Sequence, residues 1–179
     1  KRVSGSRTYP VEYSYDSQGR VKTLKTWRSF AGDAETAVTT WNYDPLRGFL
    51  QNKRYADNSG PNYTYRPSGR LWTRTWARSP VITTTYSYNN SGDLWTIDYS
   101  DSTPDVEALY DRLGRPKTVN QATGARTLNY HASGQLADEI YTSGALNGYA
   151  INRGFDALHR PSALWNQIPA VFPRPAKTD

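Results

Sequence analysis

The chain has 179 residues, a formal net charge of +6 and a hydrophobic share of 36%, with 14 Tyr, 6 Trp and neither Cys nor Met. The lack of cysteine excludes disulfides, thiolate metal sites and cysteine catalysis, and no apolar run reaches the length of a membrane-spanning helix. The aromatic share of 13% is not that of a disordered chain, and it favours a wide, thin sheet over a thick aliphatic core.

Taken in order, the chain consists of strand-like runs separated by turns. The first turn is the phrase YDSQGR from Tyr15, followed by the strand-like run VKTLKTW and a second breaker near Gly32. Variants of the phrase return about every 23 residues on average, and runs such as LWTRTW, LWTIDY and LADEIY follow later copies. The seven copies begin at Tyr15, Tyr43, Tyr65, Tyr88, Tyr110, Tyr130 and Phe155.

A fixed period of this kind predicts one repeated structural unit. Each unit contains a turn, a strand, a second turn and a second strand, so seven copies predict about fourteen short antiparallel strands paired in sequence order. The array is expected to cover residues 1–165. The last residues, 166–179, contain Pro169, Pro173 and Pro175, which predict an extended tail that leaves the sheet.

The chemistry of the phrase is that of a hairpin turn. In five of the seven copies the second residue is an Asp or Asn, whose side chain accepts a backbone hydrogen bond two residues on; these are Asp16, Asp44, Asn89, Asp111 and Asp156. A glycine follows at the place where a bulge residue needs positive φ; these are Gly19, Gly48, Gly69, Gly92, Gly114 and Gly134. In the seventh copy His159 takes the glycine position, and His is enriched at positive φ.

The spaced Tyr-Asp-x-x-Gly-Arg-Leu phrase resembles the YD repeat of the RHS family, which includes shell-forming subunits of insecticidal toxin complexes and the teneurins. The resemblance covers about residues 9 to 165. It implies an all-β strip of consecutive antiparallel hairpins that curves or spirals into a hollow shell around a toxin or effector domain. The family's core segment, which seals the shell, is absent here, so the resemblance implies a part of the wall without plug or cargo.

One candidate ligand-binding face follows the third copy. At strand periodicity, alternating guanidinium and indole groups lie on one face and can stack as cation–π pairs; these residues are Arg70, Trp72, Arg74, Trp76 and Arg78. Such a face suits an anionic or sugar ligand, and it equally suits a surface ladder satisfied by its own contacts.

The remaining candidate sites have structural explanations. His131 and His159 occupy repeat-turn positions far apart in the sequence, and no serine or metal cluster accompanies either. A loop rich in carboxylates suggests calcium but lacks EF-hand spacing; its members are Asp98, Asp101, Asp105 and Glu107. No nucleophile–base pair, metal cluster or phosphate loop emerges, so the sequence predicts no enzyme and no cofactor.

Two functions remain open at this point. The first is a structural wall segment of a large secreted or cell-surface protein of bacterial origin, which encloses or displays another domain. Its partners are neighbouring repeats of the parent chain or further copies bound through edge strands, and an enclosed toxin or effector. The alternative is a module that binds carbohydrate or acidic glycans through its aromatic and basic surface. The absence of Met indicates that the chain is a piece of a longer protein.

Overall fold

The computed structural model of the chain describes residues 10–168, which form fourteen β-strands in one open sheet. The strands follow one another in sequence order: β1 (Val11–Tyr15), β2 (Val21–Ser29), β3 (Ala34–Tyr43), β4 (Leu50–Arg54), β5 (Asn62–Tyr65), β6 (Leu71–Thr75), β7 (Thr83–Tyr88), β8 (Leu94–Tyr99), β9 (Val106–Tyr110), β10 (Pro116–Gln121), β11 (Gly124–Tyr130), β12 (Leu136–Tyr141), β13 (Ala150–Phe155) and β14 (Pro161–Gln167). No residue of this range is helical. The predicted all-β class with consecutive antiparallel strands is confirmed.

The last strand ends at Gln167, so its final two residues belong to the segment predicted as a tail. Residues 169–179, which hold the three prolines of that prediction, lie outside the described residues. None of the described residues forms a helix of the length and apolar character needed to cross a membrane.

The chain divides into two compact units, the first ending at Thr85 and the second beginning at Tyr86. In each unit the antiparallel register shifts by a residue at the repeat aromatic, for example between Ser14 and Tyr15 and between Asn129 and Tyr130. Such a shift is a β-bulge. The repeat phrase therefore sets both the reversal and the register of the strands around it.

The two faces of the sheet differ in chemistry. The residue before the repeat aromatic is polar in most copies, and it hydrogen-bonds a polar residue of the next strand. These pairs are Ser14–Thr23, Asn42–Asn52, Thr64–Thr73 and Asn129–Asp138, at 2.5–2.7 Å. Because successive side chains point to opposite faces, the repeat tyrosines lie on the other face. Sequence reasoning could not assign these faces, because aromatics precede and follow each turn.

Few of the described residues are deeply buried, so the sheet has only a small hydrophobic core. The most deeply buried of the described residues are Trp27, Ile82 and Ala150, with 5–7% exposure, and Thr84 with 1%. Aromatic residues such as Trp72 and Trp95 stay about half exposed. Stability therefore depends on contacts between neighbouring hairpins rather than on one central core, as expected for a repeat protein.

The repeat turn and its neighbours as the candidate functional site

The first copy shows how the repeat turn is built. One carboxylate oxygen of Asp16 accepts hydrogen bonds from the backbone N–H groups of Gln18 at 3.0 Å and Arg20 at 2.9 Å. The Gly19 N–H donates to the Asp16 carbonyl at 3.0 Å, and the Asp16 N–H donates to the Arg20 carbonyl at 2.9 Å. These four bonds close the reversal and leave Gly19 at φ 77°.

The same turn recurs in the other copies. The six repeat glycines have φ values between 73° and 95°, and His159 has φ 59°. In the second copy the inserted residue moves the positive φ to Gly48, while the Asp44 carboxylate accepts from the N–H groups of Leu46 and Arg47. In the fourth copy Asn89 replaces the aspartate, and its side-chain oxygen accepts from the N–H of Asp93 at 2.9 Å.

Three of the four turn aspartates, Asp16, Asp111 and Asp156, also bind the arginine side chain of their own copy. The Nε group of Arg115 donates to Asp111 at 2.7 Å, and that of Arg160 donates to Asp156 at 2.7 Å. The backbone N–H of Arg115, and then its guanidinium, lower the pKa of the Asp111 carboxyl below its ordinary value. The Arg160 N–H and guanidinium lower the pKa of Asp156 in the same way. These carboxylates are ionised at neutral pH and act as turn caps.

The repeat arginine contacts the following repeat as well. The guanidinium carbon of Arg20 lies 4.2 Å from the ring centre of Tyr43, and Arg20 Nη1 donates to the Gly48 carbonyl at 2.9 Å. In the second unit, Arg115 lies 4.3 Å from the ring centre of Tyr130. Arg20 and Arg115 therefore each join their own turn to the aromatic ring of the next turn.

A second link between repeats comes from the tyrosine hydroxyl. The repeat tyrosine donates to the backbone carbonyl that opens the second strand of the preceding hairpin. The pairs are Tyr43 with Val21, Tyr65 with Leu50, Tyr110 with Leu94 and Tyr130 with Pro116, at 2.7–3.0 Å. Burial raises the pKa of Tyr65 and Tyr110, which keeps these hydroxyls protonated and able to donate.

Sequence reasoning missed these hydroxyl bonds. It treated the repeat aromatic as a packing ring, although six of the seven copies begin with Tyr and only the last begins with Phe155. That preference was the available signal, because Phe provides the same ring without a donor. In the seventh copy the ring of Phe155 instead makes an edge contact with His131, at 5.6 Å between ring centres.

The structure brings the proposed ligand face together only in part. Trp72 and Arg74 lie in β6 and Trp76 follows it directly, whereas Arg70 and Arg78 lie outside the strand. The guanidinium of Arg74 stacks on Trp76 at 3.7 Å from the ring centre, and Arg78 lies 5.8 Å from the same ring. Trp72 has a different cation beside it, Arg66 at 5.8 Å.

Trp76 is held in place from its polar edge. Its Nε1 donates to the hydroxyl of Thr84 at 2.8 Å, and Thr84 is buried. A small cavity of about 200 Å³ adjoins Trp76, Arg74 and Tyr55. The indole therefore has one edge fixed by a hydrogen bond and one face covered by a guanidinium, which limits the aromatic surface left for a ligand.

The carboxylates of the acidic loop accept hydrogen bonds from that loop and from its flanking strands. Asp105 accepts from the Tyr99 N–H at 2.7 Å and Asp101 from the Thr103 N–H at 3.1 Å. Glu107 accepts from Trp95 Nε1 at 3.0 Å and from the Asn120 amide at 2.9 Å. Within residues 10–168, no group of three or more His, Cys, Asp or Glu side chains is arranged to hold a metal ion.

No protein-family model matches the chain. No curated protein matches it either.

Solved structures do share the fold. A chain of the Photorhabdus luminescens Tc holotoxin pore, a TccC3 mutant, aligns with a TM-score of 0.65 and 17% identity over 90% of this chain. The crystal structure of TcdB2-TccC3 aligns with a TM-score of 0.51 and 15% identity over 88% of this chain. The chain spans 9% of the length of the first of these and 11% of the second. At such identities the likeness is one of fold.

Proposed function

We propose that the chain is a wall segment of a larger hairpin-repeat protein, a structural element that encloses or displays another domain. The observation that carries this proposal is the link between successive turns. The hydroxyls of Tyr43, Tyr65, Tyr110 and Tyr130 each donate to the preceding hairpin, and a repeat arginine also stacks on the rings of Tyr43 and Tyr130. A chain held together in this way gains stability with every added repeat.

The thinness of the sheet supports the same function. A wall needs two accessible faces and strong lateral contacts, whereas an enzyme needs a cavity with a reactive group held in a defined position. Here one face carries polar side-chain pairs and the other carries the repeat rings. The repeat aspartates Asp16, Asp44, Asp111 and Asp156 are engaged in turn capping, which is a structural role.

The exposed edge of the last strand, β14, supports a continuing wall. Within the described residues, β14 pairs with β13 alone. Its side chains are exposed throughout, including Leu164 at 71% and Trp165 at 52%. An open edge with exposed apolar side chains favours pairing with another strand. The partner that fits it is a further hairpin of the same repeat, which would cover Trp165 with the ring or arginine of the next turn.

The resemblance to YD repeats adds the cellular setting to this proposal. It implies a secreted or cell-surface parent protein of bacterial origin, with a toxin or effector inside the shell. Fractionation of cells that produce the parent protein, with an antibody against the segment, tests the location.

Cryo-electron microscopy of the parent protein tests the wall itself. The proposal predicts that residues 10–168 form one part of a longer hairpin sheet, with additional strands beside β1 and β14 and polypeptide density on the enclosed side. A parent protein in which solvent surrounds both faces of this sheet, or in which the hairpin array ends at β14 without a partner, would contradict it.

A further inference from the structure

The fourth repeat reverses the charge that other copies place beside a tyrosine ring. In the fifth copy, Arg115 lies 4.3 Å from the ring centre of Tyr130. The equivalent position of the fourth copy is Asp93, and the ring that follows is Tyr110. Asp is several atoms shorter than Arg and carries the opposite charge, so no guanidinium of this repeat covers the Tyr110 ring.

An open groove lies at this position between the fourth and fifth turns. Its volume is about 910 Å³, and Asp93, Tyr110 and Trp95 line it within the second unit. Trp95 is 44% exposed, and its Nε1 donates to Glu107 at 3.0 Å, so the indole is held in a fixed orientation. The groove therefore offers two ordered aromatic rings beside a carboxylate.

The Asp93 carboxylate is hydrogen-bonded but forms no ion pair within residues 10–168. Asn89 donates its side-chain amide to one carboxylate oxygen at 3.1 Å. Arg112 and Lys117 line the same groove, yet within residues 10–168 neither forms an ion pair with Asp93. The carboxylate is close enough to Tyr110 to raise the pKa of its hydroxyl, as a second cause after burial. Asp93 is thus a partly buried negative charge next to an aromatic ring.

We propose that this groove binds an arginine side chain of another polypeptide segment, with its guanidinium on the Tyr110 ring and paired with Asp93. The same chain stacks its own guanidinium groups on the equivalent rings twice, at Arg20 over Tyr43 and at Arg115 over Tyr130, and there each arginine pairs with the turn aspartate of its own copy. A planar guanidinium fits this place better than an ammonium, because it stacks on a ring and pairs with a carboxylate at the same time. The charge reversal in the fourth repeat turns an internal contact into a binding site.

The test is a titration of the chain with N-acetyl-arginine amide, followed by NMR at the Trp95 indole N–H and the Tyr110 ring. We expect saturable shifts in the millimolar range, about the strength of one stacked and paired guanidinium. The citrulline analogue, which has the same shape without the charge, should bind about tenfold more weakly or not at all. The lysine analogue should lie between the two.

Two variants separate the site from the fold. Asp93→Arg restores the repeat arginine, fills the groove and should abolish binding while the melting temperature is unchanged or higher. Asp93→Asn removes the charge and should weaken binding about tenfold. Gln135→Arg is the matched control, because Gln135 holds the same repeat position in the sixth copy. This variant should leave arginine binding at the Asp93 groove unchanged. Equal binding of arginine and citrulline, equal binding to Asp93→Arg, or no saturable shift would overturn the proposal.

Discussion

The guanidinium carbon of Arg20 lies 4.2 Å from the ring centre of Tyr43, although the two residues belong to successive repeats. The same arginine donates to its own Asp16 and to the carbonyl of Gly48. A cation that is satisfied by its own turn and also covers the ring of the next turn couples the two hairpins. The contacts between repeats are therefore specific as well as apolar, and they can be removed one at a time.

The hydrogen bond of the repeat tyrosine predicts a measurable loss of stability when the hydroxyl oxygen alone is removed. Tyr43→Phe removes the 2.9 Å bond to the Val21 carbonyl but keeps the ring. We expect the free energy of unfolding to fall by about 1 kcal/mol, because a part-buried carbonyl loses its donor. Urea denaturation measures the change.

Tyr15→Phe is the control for this substitution. Tyr15 begins the first copy, is 59% exposed, and its hydroxyl has no partner among the described residues, so this variant should leave the free energy of unfolding nearly unchanged. If both variants lose the same stability, the hydroxyl bonds do not link the repeats.

The turn carboxylates predict a dependence of stability on pH. The pKa values of Asp111 and Asp156 lie below the ordinary value of 3.8 in the folded chain, through the N–H groups and guanidinium groups of Arg115 and Arg160. Their contribution is therefore fully present above the unfolded-state pKa and is lost as the pH falls through the folded-state pKa.

The double variant Asp111→Asn/Asp156→Asn tests this dependence. It should be less stable than the wild type near neutral pH and should approach the wild type at about pH 2. Asn keeps the side-chain oxygen that caps the turn, as Asn89 does in the fourth copy, so the turn itself should persist. A stability gap that stays constant between these pH values argues against the ion pairs.

Glycine geometry predicts opposite results at two turns. Gly114 has φ 73°, and a Cβ there would meet no atom within 4 Å. Gly114→Ala should therefore lose about 1–2 kcal/mol from the left-handed backbone alone. Gly32 has no left-handed φ, and a Cβ would sit 3.9 Å from Ala34 Cβ, so Gly32→Ala should be neutral or stabilising by up to about 1 kcal/mol. Thermal unfolding separates the two, and equal losses would show that backbone strain is not the cause.

The bond between Trp76 and Thr84 predicts coupling between two substitutions. Thr84→Val removes the acceptor of the 2.8 Å bond in a buried position and should lower the free energy of unfolding by about 1–3 kcal/mol. Trp76→Phe removes the donor. If the bond holds the indole, the double variant loses less than the sum of the single variants by about 0.5–3 kcal/mol. Additive losses would mean that the two side chains act independently.

Much of the fold could be read from the sequence because the repeat phrase carries its own geometry. An Asp that caps the turn and a glycine at positive φ are local requirements, so Asp16 and Gly19 reveal the turn without any knowledge of distant contacts. Even the exception at His159 follows the same rule, with φ 59°. Fourteen strands in sequence order then follow from the spacing.

The contacts between repeats could not be read in the same way. The hydroxyl of Tyr43 reaches Val21 only because the strands between them pair in a given register. That register includes a shift between Asn42 and Tyr43, which is separate from the turn glycine at which the sequence predicts a bulge. The residues of the predicted ligand face do not all lie in one strand for a related reason. β6 ends at Thr75, one residue before Trp76, so strand periodicity no longer applies at Arg78.

The wall proposal is tested most directly by amide hydrogen exchange at β14, compared between this chain alone and the parent protein. Amides of β14 that point away from β13 should exchange quickly in the isolated chain, because within the described residues nothing pairs with that edge. In the parent protein they should exchange slowly, at rates similar to those of β11, because a further hairpin accepts their hydrogen bonds. Equally fast exchange in both would show that the sheet ends at β14 and that the chain is not part of a continuing wall.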